Sequence, residues 1–244
     1  MTRPARFAPV LVLLLLLPAA RALAADSPLV AELDEAARTY HVDPAHLDRV
    51  REGLEKVVEG TPSLEELLAA ARVELIWGDV HAKSPQEKIV AYDRGRQAAR
   101  RAVEQSPRDA RAHLWYGINT ARYGQTRGIM NSLSLLGTVK EAMRTTLELD
   151  PTVPAAYALA GYVYLEVPRL FGGDLVKAEE AFRHGLQLDP HYTNLRVGLA
   201  RVLLRQGRGD EARKELQTVL DEKTPTNIAD WTVRDAPMAR ELLR

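Results

Sequence analysis

The sequence predicts an all-α protein, a solenoid of antiparallel helix pairs, and three observations carry that expectation. Apolar residues recur at i, i+3, i+4 and i+7 along most of the chain, which is the period of one helical face. No run of alternating β-branched residues interrupts the pattern. The chain is also self-similar around Pro107, Pro151 and Pro190, which close the segments VEQSP, LELDP and LQLDP, and recurrence at a steady interval marks a stacked-repeat architecture.

The first 24 residues stand apart from this pattern. Arg3 and Arg6 precede the apolar run from Phe7 to Leu17, which is followed by Pro18 and then Ala22-Leu23-Ala24. That is the three-part layout of a secretory signal peptide, expected over 1–24 with cleavage after Ala24. The apolar run is about half of the roughly 20 residues a membrane-spanning helix needs, so a cleaved leader is favoured over a retained anchor. The remaining chain is expected in the periplasm with no stable membrane insertion.

Composition narrows the chemistry. No cysteine is present, so there is no disulfide framework, no thiol nucleophile and no lipid-modified cysteine. The chain has 33 basic and 33 acidic residues, and loss of Arg3, Arg6 and Arg21 with the leader makes the remainder weakly acidic. Nucleic acid, whose binding rests on neutralising phosphates, is therefore not an expected partner.

Helices are expected over 29–40, over 44–60 between Asp43-Pro44 and Gly60, over 61–78 between Thr61-Pro62 and Gly78, and over 87–107, all with ordinary start and stop signals. Beyond them the repetition becomes specific. Counting back five, eight and twelve residues from each closing proline gives Ala102, Ala99 and Gly95, then Thr146, Met143 and Val139, then Gly185, Phe182 and Ala178. Counting forward ten gives Gly117, Gly161 and Ala200. Small residues recur where two helices must approach closely, and one larger apolar residue fills the gap.

This pattern resembles the tetratricopeptide repeat, a helix-turn-helix unit of about 34 residues. The resemblance implies a right-handed solenoid with a continuous core, because each helix pair buries its apolar face only against its neighbours. The expected division is an N-terminal helix pair over 25–60, a degenerate repeat over 61–108, repeats over 109–152, 153–190 and 191–224, and a capping helix over 225–244 that contains Trp231. The last repeat keeps strict spacing through Ala200, Gly207, Ala212, Leu216 and Val219. The two before it carry five and ten extra residues, expected to lengthen the turns within the repeats. Replacing Gly161 by Leu in a stacked core of this kind is predicted to cost about 1–3 kcal/mol or more by overpacking, and a urea midpoint equal to wild type would refute the placement.

The segments WYGIN, GQTRGIMNSL and EVPRLFGGDLVKAEEAF are similar to the periplasmic repeat proteins associated with tripartite ATP-independent periplasmic (TRAP) transporters, the TatT component family. They are also similar to the regulators of microtubule dynamics. The first resemblance implies an all-helical body around a central pore or groove, a periplasmic substrate-binding protein as partner, and an apolar or amphipathic acid as ligand, with self-association compatible with the pattern. Family members that are lipoproteins are anchored through a cysteine, which this chain lacks. The alternative is a cell-envelope scaffold whose groove takes an extended peptide.

Repeat register then nominates a concave surface on the first helix of each unit. It comprises Arg111, Leu114, Ile118, Ala121 and Arg122; Ala155, Ala158, Tyr162, Leu165 and Glu166; and Asn194, Val197, Arg201, Leu204 and Arg205. An apolar floor with guanidinium groups suits an amphipathic acid or an acidic peptide, because Arg pairs a carboxylate bidentately. A plainer reading has these arginines paired with acids on neighbouring helices.

Catalytic and metal signatures are absent. There is no Gly-x-Ser-x-Gly elbow and no His-Glu-x-x-His pair, so neither an enzyme, a metal nor a cofactor is expected. The tripeptide Arg208-Gly209-Asp210 is expected to be a turn with Asp210 as helix cap, and Trp115, Tyr116 and the exposed-looking Trp77 are expected to pack between helices rather than stack on a ligand. Gly172-Gly173 lacks the lysine and hydroxyl of a phosphate loop. It is expected to close a turn, with Asp174 capping the next helix.

Overall fold

Many of the helices begin where a side chain can satisfy their first N–H groups. The computed structural model describes residues 27–244, so the leader expected over 1–24 lies outside the described residues. Helix α1 spans Pro28–Thr39, α2 Pro44–Val58, α3 Leu64–Val80, α4 Pro85–Gln105, α5 Ala110–Thr126 and α6 Ile129–Leu149. They are followed by α7 over Pro154–Glu166, α8 over Leu175–Leu188, α9 over Thr193–Arg205 and α10 over Gly209–Asp221. A C-terminal segment joins α11, Ile228–Asp230, through a π turn over Trp231–Asp235 to α12, Ala236–Leu242. No strand occurs among the described residues.

The caps show why the boundaries fall where they do. Ser63 and Ser84 open α3 and α4 with reciprocal capping boxes to Glu66 and Glu87. Asp43, Asp109 and Asp174 accept from the first N–H groups of α2, α5 and α8. A side-chain cap of this type contributes about 1 kcal/mol.

Helices α3/α4, α5/α6, α7/α8 and α9/α10 pack as antiparallel pairs, and consecutive pairs stack. The fold is thus an all-α tetratricopeptide-repeat solenoid. Its core lies where the recurring small and bulky positions meet: Gly95, Ala99, Ala102, Val139, Met143, Thr146, Ala178, Phe182 and Gly185 are all buried. A Cβ at Gly161 would lie 2.6 Å from the Phe182 ring, so the glycine is what lets α7 and α8 close.

The extra residues are accommodated in two ways. In the pair α7/α8 they form the turn itself, a 3-10 helix over Arg169–Phe171 closed by Gly172 at φ 95°. In the pair α5/α6 the expectation of a longer turn is corrected: only Arg127 and Gly128 separate the helices, and the ten extra residues prolong α5 to 17 and α6 to 21 residues. The sequence there has helical periodicity and no internal breaker, so continuing the helices satisfies the backbone at lower cost than a loop.

Asp174 caps α8 as expected, accepting from the N–H groups of Val176 and Lys177. A Cβ on Gly173 would collide with the carbonyl oxygen of Val167, and that atom belongs to backbone that cannot rotate aside. Gly173→Ala is therefore predicted to lower stability by about 3 kcal/mol. Urea unfolding followed by circular dichroism checks this, and an unchanged midpoint would contradict it.

One local expectation is corrected. Asp210 lies inside the first turn of α10 rather than at its cap, and Arg208 occupies the cap position. Arg208 is held by Glu179 and Glu211. Trp77 packs where α3 meets α2, as expected: the Arg51 guanidinium stacks 4.0 Å from its ring centre, and its Nε1–H donates to Asp48 at 2.8 Å.

The ion pairs give the fold a pH dependence. Burial raises the Glu179 carboxyl, but hydrogen bonds from Arg183, Arg208 and Gln206 outweigh it and hold the group below its ordinary 4.5. Backbone hydrogen bonds from Thr224 and Lys223 and the His191 side chain lower Glu222 in the same way. A folded-state value below the unfolded one means the stability is present above the ordinary carboxylate pKa and is lost as pH falls through the depressed value. The urea midpoint is therefore expected to fall below about pH 4.5, and Glu179→Gln should show a smaller acid loss than wild type.

Candidate functional site

The first helix of each pair faces inward, so α3, α5, α7 and α9 supply one wall of a central cavity of about 790 Å³. The C-terminal segment supplies the other wall. Ala229 packs into the N-terminal core beside Leu33 and Tyr40. Trp231, two residues later, packs against the core of the last repeats and donates from Nε1 to the Val219 carbonyl at 2.7 Å. The segment therefore bridges the two ends of the solenoid, and the Tyr40 hydroxyl completes the closure by donating to Asp230 at 2.6 Å.

The π turn sets which side chains face inward. Pro237 has no N–H to give the carbonyl four residues back, and the N–H of Ala236 instead reaches the Trp231 carbonyl. The extra residue in that turn directs Asp230, Arg234 and Asp235 to the cavity side together, and such insertions are frequent at functional sites.

Apolar walls come from Leu75, Ile76, Trp115, Ile118, Leu159 and Val197, with tyrosines and Met238 beside them. The charges are organised in two groups. Arg234 meets Asp235 at 2.9 Å, Asp230 at 3.2 Å and Asp79 at 3.7 Å. Asp79 also accepts from the Tyr92 hydroxyl at 2.7 Å and from Arg122 at 3.2 Å, and Asp235 accepts from Thr193 at 2.7 Å. Burial works against the charge of Arg234, but Asp230, Asp235 and Asp79 prevail and raise its pKa well above the ordinary value. Burial and the adjacent Asp79 push the Tyr92 hydroxyl up, and burial with Asp230 does the same for Tyr40, so both remain protonated donors. In the second group Arg201 at 2.6 Å and Arg205 at 3.4 Å share the single carboxylate of Glu166.

Of the residues nominated by register, Ile118, Arg122, Ala158, Tyr162, Asn194, Val197 and Arg201 line this cavity, with Ala121, Ala155 and Glu166. Five nominated residues lie elsewhere, among them Leu204, which is exposed at 40%. Leu114 and Leu165 are buried between consecutive repeats, because their face of the helix turns toward the neighbouring pair. Arg111, in the first turn of α5, forms a bidentate pair with Glu65 and a further pair with Asp109. Arg205, in the last turn of α9, donates to the Leu165 carbonyl. Register reasoning missed Asp79, Trp115 and Tyr192, and the whole contribution of Asp230, Arg234 and Asp235. A readable signal was DWTVRDAP, where Asp230 and Arg234 stand one helical turn apart just before a proline.

Comparison with known proteins fits this geometry. Residues 172–230 match a tetratricopeptide repeat model. The model described as regulator of microtubule dynamics protein 1-3 matches residues 29–170, more than half of the chain. The chain belongs to the family of regulator of microtubule dynamics proteins 1-3. Within that family it is 27% identical over 107 residues to regulator of microtubule dynamics protein 2 of Macaca fascicularis, covering 41% of this chain and 26% of the relative. Against the Homo sapiens protein of the same name it is 26% identical over 106 residues, covering 40% of this chain and 26% of the relative. The matched region thus spans about a quarter of the length of these relatives. A thermophilic tetratricopeptide-repeat protein of Thermus thermophilus shares the fold at a TM-score of 0.62 and 19% identity, with 86% of this chain and 98% of that one covered. This family member therefore has the repeat architecture whose concave surfaces serve protein–protein interaction.

Proposed function

We propose that the chain is an exported interaction protein that docks a substrate-binding protein of a TRAP-type transporter and holds an apolar or amphipathic organic acid in its central cavity. The cavity itself carries the reading. Its volume of about 790 Å³ falls in the usual range for small-molecule sites, roughly 300–1,000 Å³. Its walls are mostly apolar, and Arg122 stands over them with one nitrogen committed to Asp79 at 3.2 Å. The remaining guanidinium donors of Arg122 are suited to a ligand carboxylate. Arg201 shares Glu166 with Arg205, which leaves that group with an excess positive charge. The transporter partner rests on the similarity of WYGIN, GQTRGIMNSL and EVPRLFGGD to the TatT component family, and export rests on the leader-like segment over 1–24. An extended peptide fits the cavity less well, because residues of the C-terminal segment line it together with the repeats.

Capture of partners by the tagged chain is expected to recover a periplasmic binding protein. The double variant Arg122→Glu with Arg201→Glu is expected to bind that partner in its acid-loaded form at least tenfold more weakly. Unchanged affinity with an intact helical spectrum would remove these arginines from the site.

A further inference from the structure

Asn194, Val197 and Arg201 stand at i, i+3 and i+7 on α9, so all three face the cavity from one side of the helix. Seven residues of helix advance about 10 Å, which sets an amide and a guanidinium that far apart with an apolar side chain between them. The same gradient runs along α5, where Trp115 and Ile118 precede Arg122, and along α7, where Ala155 and Leu159 precede Glu166. The pairs Arg201–Glu166 and Arg122–Asp79 join the second halves of neighbouring helices, so these charges gather at one level of the cavity. The start of α9 forms a second polar end.

Two segments build that end. Tyr192 and Asn194 come from the start of α9, and Thr226 and Asn227 come from the C-terminal segment. The Thr226 N–H donates to the His191 carbonyl at 3.2 Å and its hydroxyl to Asp189 at 2.7 Å, which fixes the two segments side by side. Asn227 spends its Oδ1 on the N–H groups of Ala229 and Asp230. Tyrosine hydroxyls around the cavity are otherwise committed: Tyr162 donates to the Asn194 carbonyl at 3.3 Å, Tyr40 to Asp230 and Tyr92 to Asp79. The Tyr192 hydroxyl and the Asn194 carboxamide have no hydrogen-bond partner among the described residues. Polar groups left this way in a largely apolar cavity favour a ligand that completes their hydrogen bonds.

The neighbouring charges decide which group completes them. Burial and Asp230 push the Tyr192 hydroxyl up, so it stays protonated. Asp230 and Asp235 act on it from the C-terminal segment, and both share the single cation of Arg234 with Asp79. A second carboxylate would add to that negative charge, and an ammonium group offers no acceptor to Tyr192. A hydroxyl accepts from Tyr192, donates to the Asn194 carboxamide oxygen and adds no charge.

We propose that the ligand of the cavity is a hydroxy acid, its carboxylate at Arg122 and Arg201, its chain along the apolar walls, and its hydroxyl about 10 Å away at Tyr192 and Asn194. This rests on the reading that the cavity holds an organic acid, and it specifies the second functional group of that acid.

Titration calorimetry of the full chain with octanoate, ω-hydroxyoctanoate, ω-aminooctanoate and octanedioate tests it. The hydroxy acid is expected to bind about tenfold more tightly than octanoate, because a site with unpaired polar groups discriminates against the analogue that leaves them unpaired. Tyr192→Phe with Asn194→Leu should abolish that preference while leaving the affinity for octanoate and the helical spectrum near wild type. Tyr192→Phe alone keeps the ring that packs against the last repeats and should lose part of the preference. Equal affinity of wild type for octanoate and ω-hydroxyoctanoate would overturn the second polar end while the acid-binding reading stands. Tighter binding of the amino acid or the diacid would overturn the choice of a hydroxyl, and a preference that survives in the double variant would overturn the assignment to Tyr192 and Asn194. Binding of none of the four would remove the acid-binding reading and this inference with it.

Discussion

Phe182→Ala is expected to lower the free energy of unfolding by about 3–5 kcal/mol. The ring is fully buried, and it lies against the backbone of two glycines, Gly161 on α7 and Gly198 on α9. It also meets Tyr162 edge to face at 5.1 Å between ring centres. Glycine walls have no side chains to fold into the space, so the void left by truncation should persist rather than collapse. Because the ring joins two consecutive repeats, its loss should also weaken their coupling and broaden the urea transition. A loss below about 1 kcal/mol would mean that the stack does not depend on this wedge.

Arg234→Met should be comparably costly and should act at a different place. The substitution preserves much of the side-chain length but leaves Asp79, Asp230 and Asp235 facing one another without a cation, and Asp235 is only 2% exposed. Removing one partner of a buried charge group typically costs about 3–5 kcal/mol. Repulsion among the three carboxylates should loosen the C-terminal segment from α1 and α3. Hydrogen exchange is then expected to quicken across 228–242 and at the Tyr40 contact, with α6 and α8 near wild type. Uniform quickening over the whole chain would contradict the idea that this segment is a separate closure.

The difference between what could and could not be read in the sequence has a physical cause. The core positions of the repeats were legible because they depend on residue size at fixed intervals: Gly161, Phe182 and Gly185 announce a close approach wherever the chain goes next. The inner face was legible to the extent that it follows helical register, which reaches Ile118, Arg122, Tyr162 and Arg201. Register could not exclude Leu114 and Leu165, because the curvature of the stack decides whether that face meets solvent or the next pair. Closure of the ring was not legible. It depends on Asp230 and Arg234 meeting Tyr40 and Asp79 from distant parts of the chain, and those contacts follow from the number and curvature of the repeats between them. The two-residue turn between α5 and α6 was missed for a simpler reason: an insertion with helical periodicity lengthens a helix as readily as a loop.

The central claim is that the repeats and the C-terminal segment enclose a site for an apolar or amphipathic acid. Native mass spectrometry of chain purified under mild conditions, compared with Ala155→Trp, tests it most directly. Ala155 lines the cavity and is only partly buried, so an indole there fills the space while leaving the core of the repeats intact. The expected result is a small organic acid retained by the wild-type chain and absent from the variant, with matching helical spectra. Wild-type chain that carries no such ligand and takes up no added long-chain carboxylate, or an Ala155→Trp variant that retains the ligand equally, would contradict it.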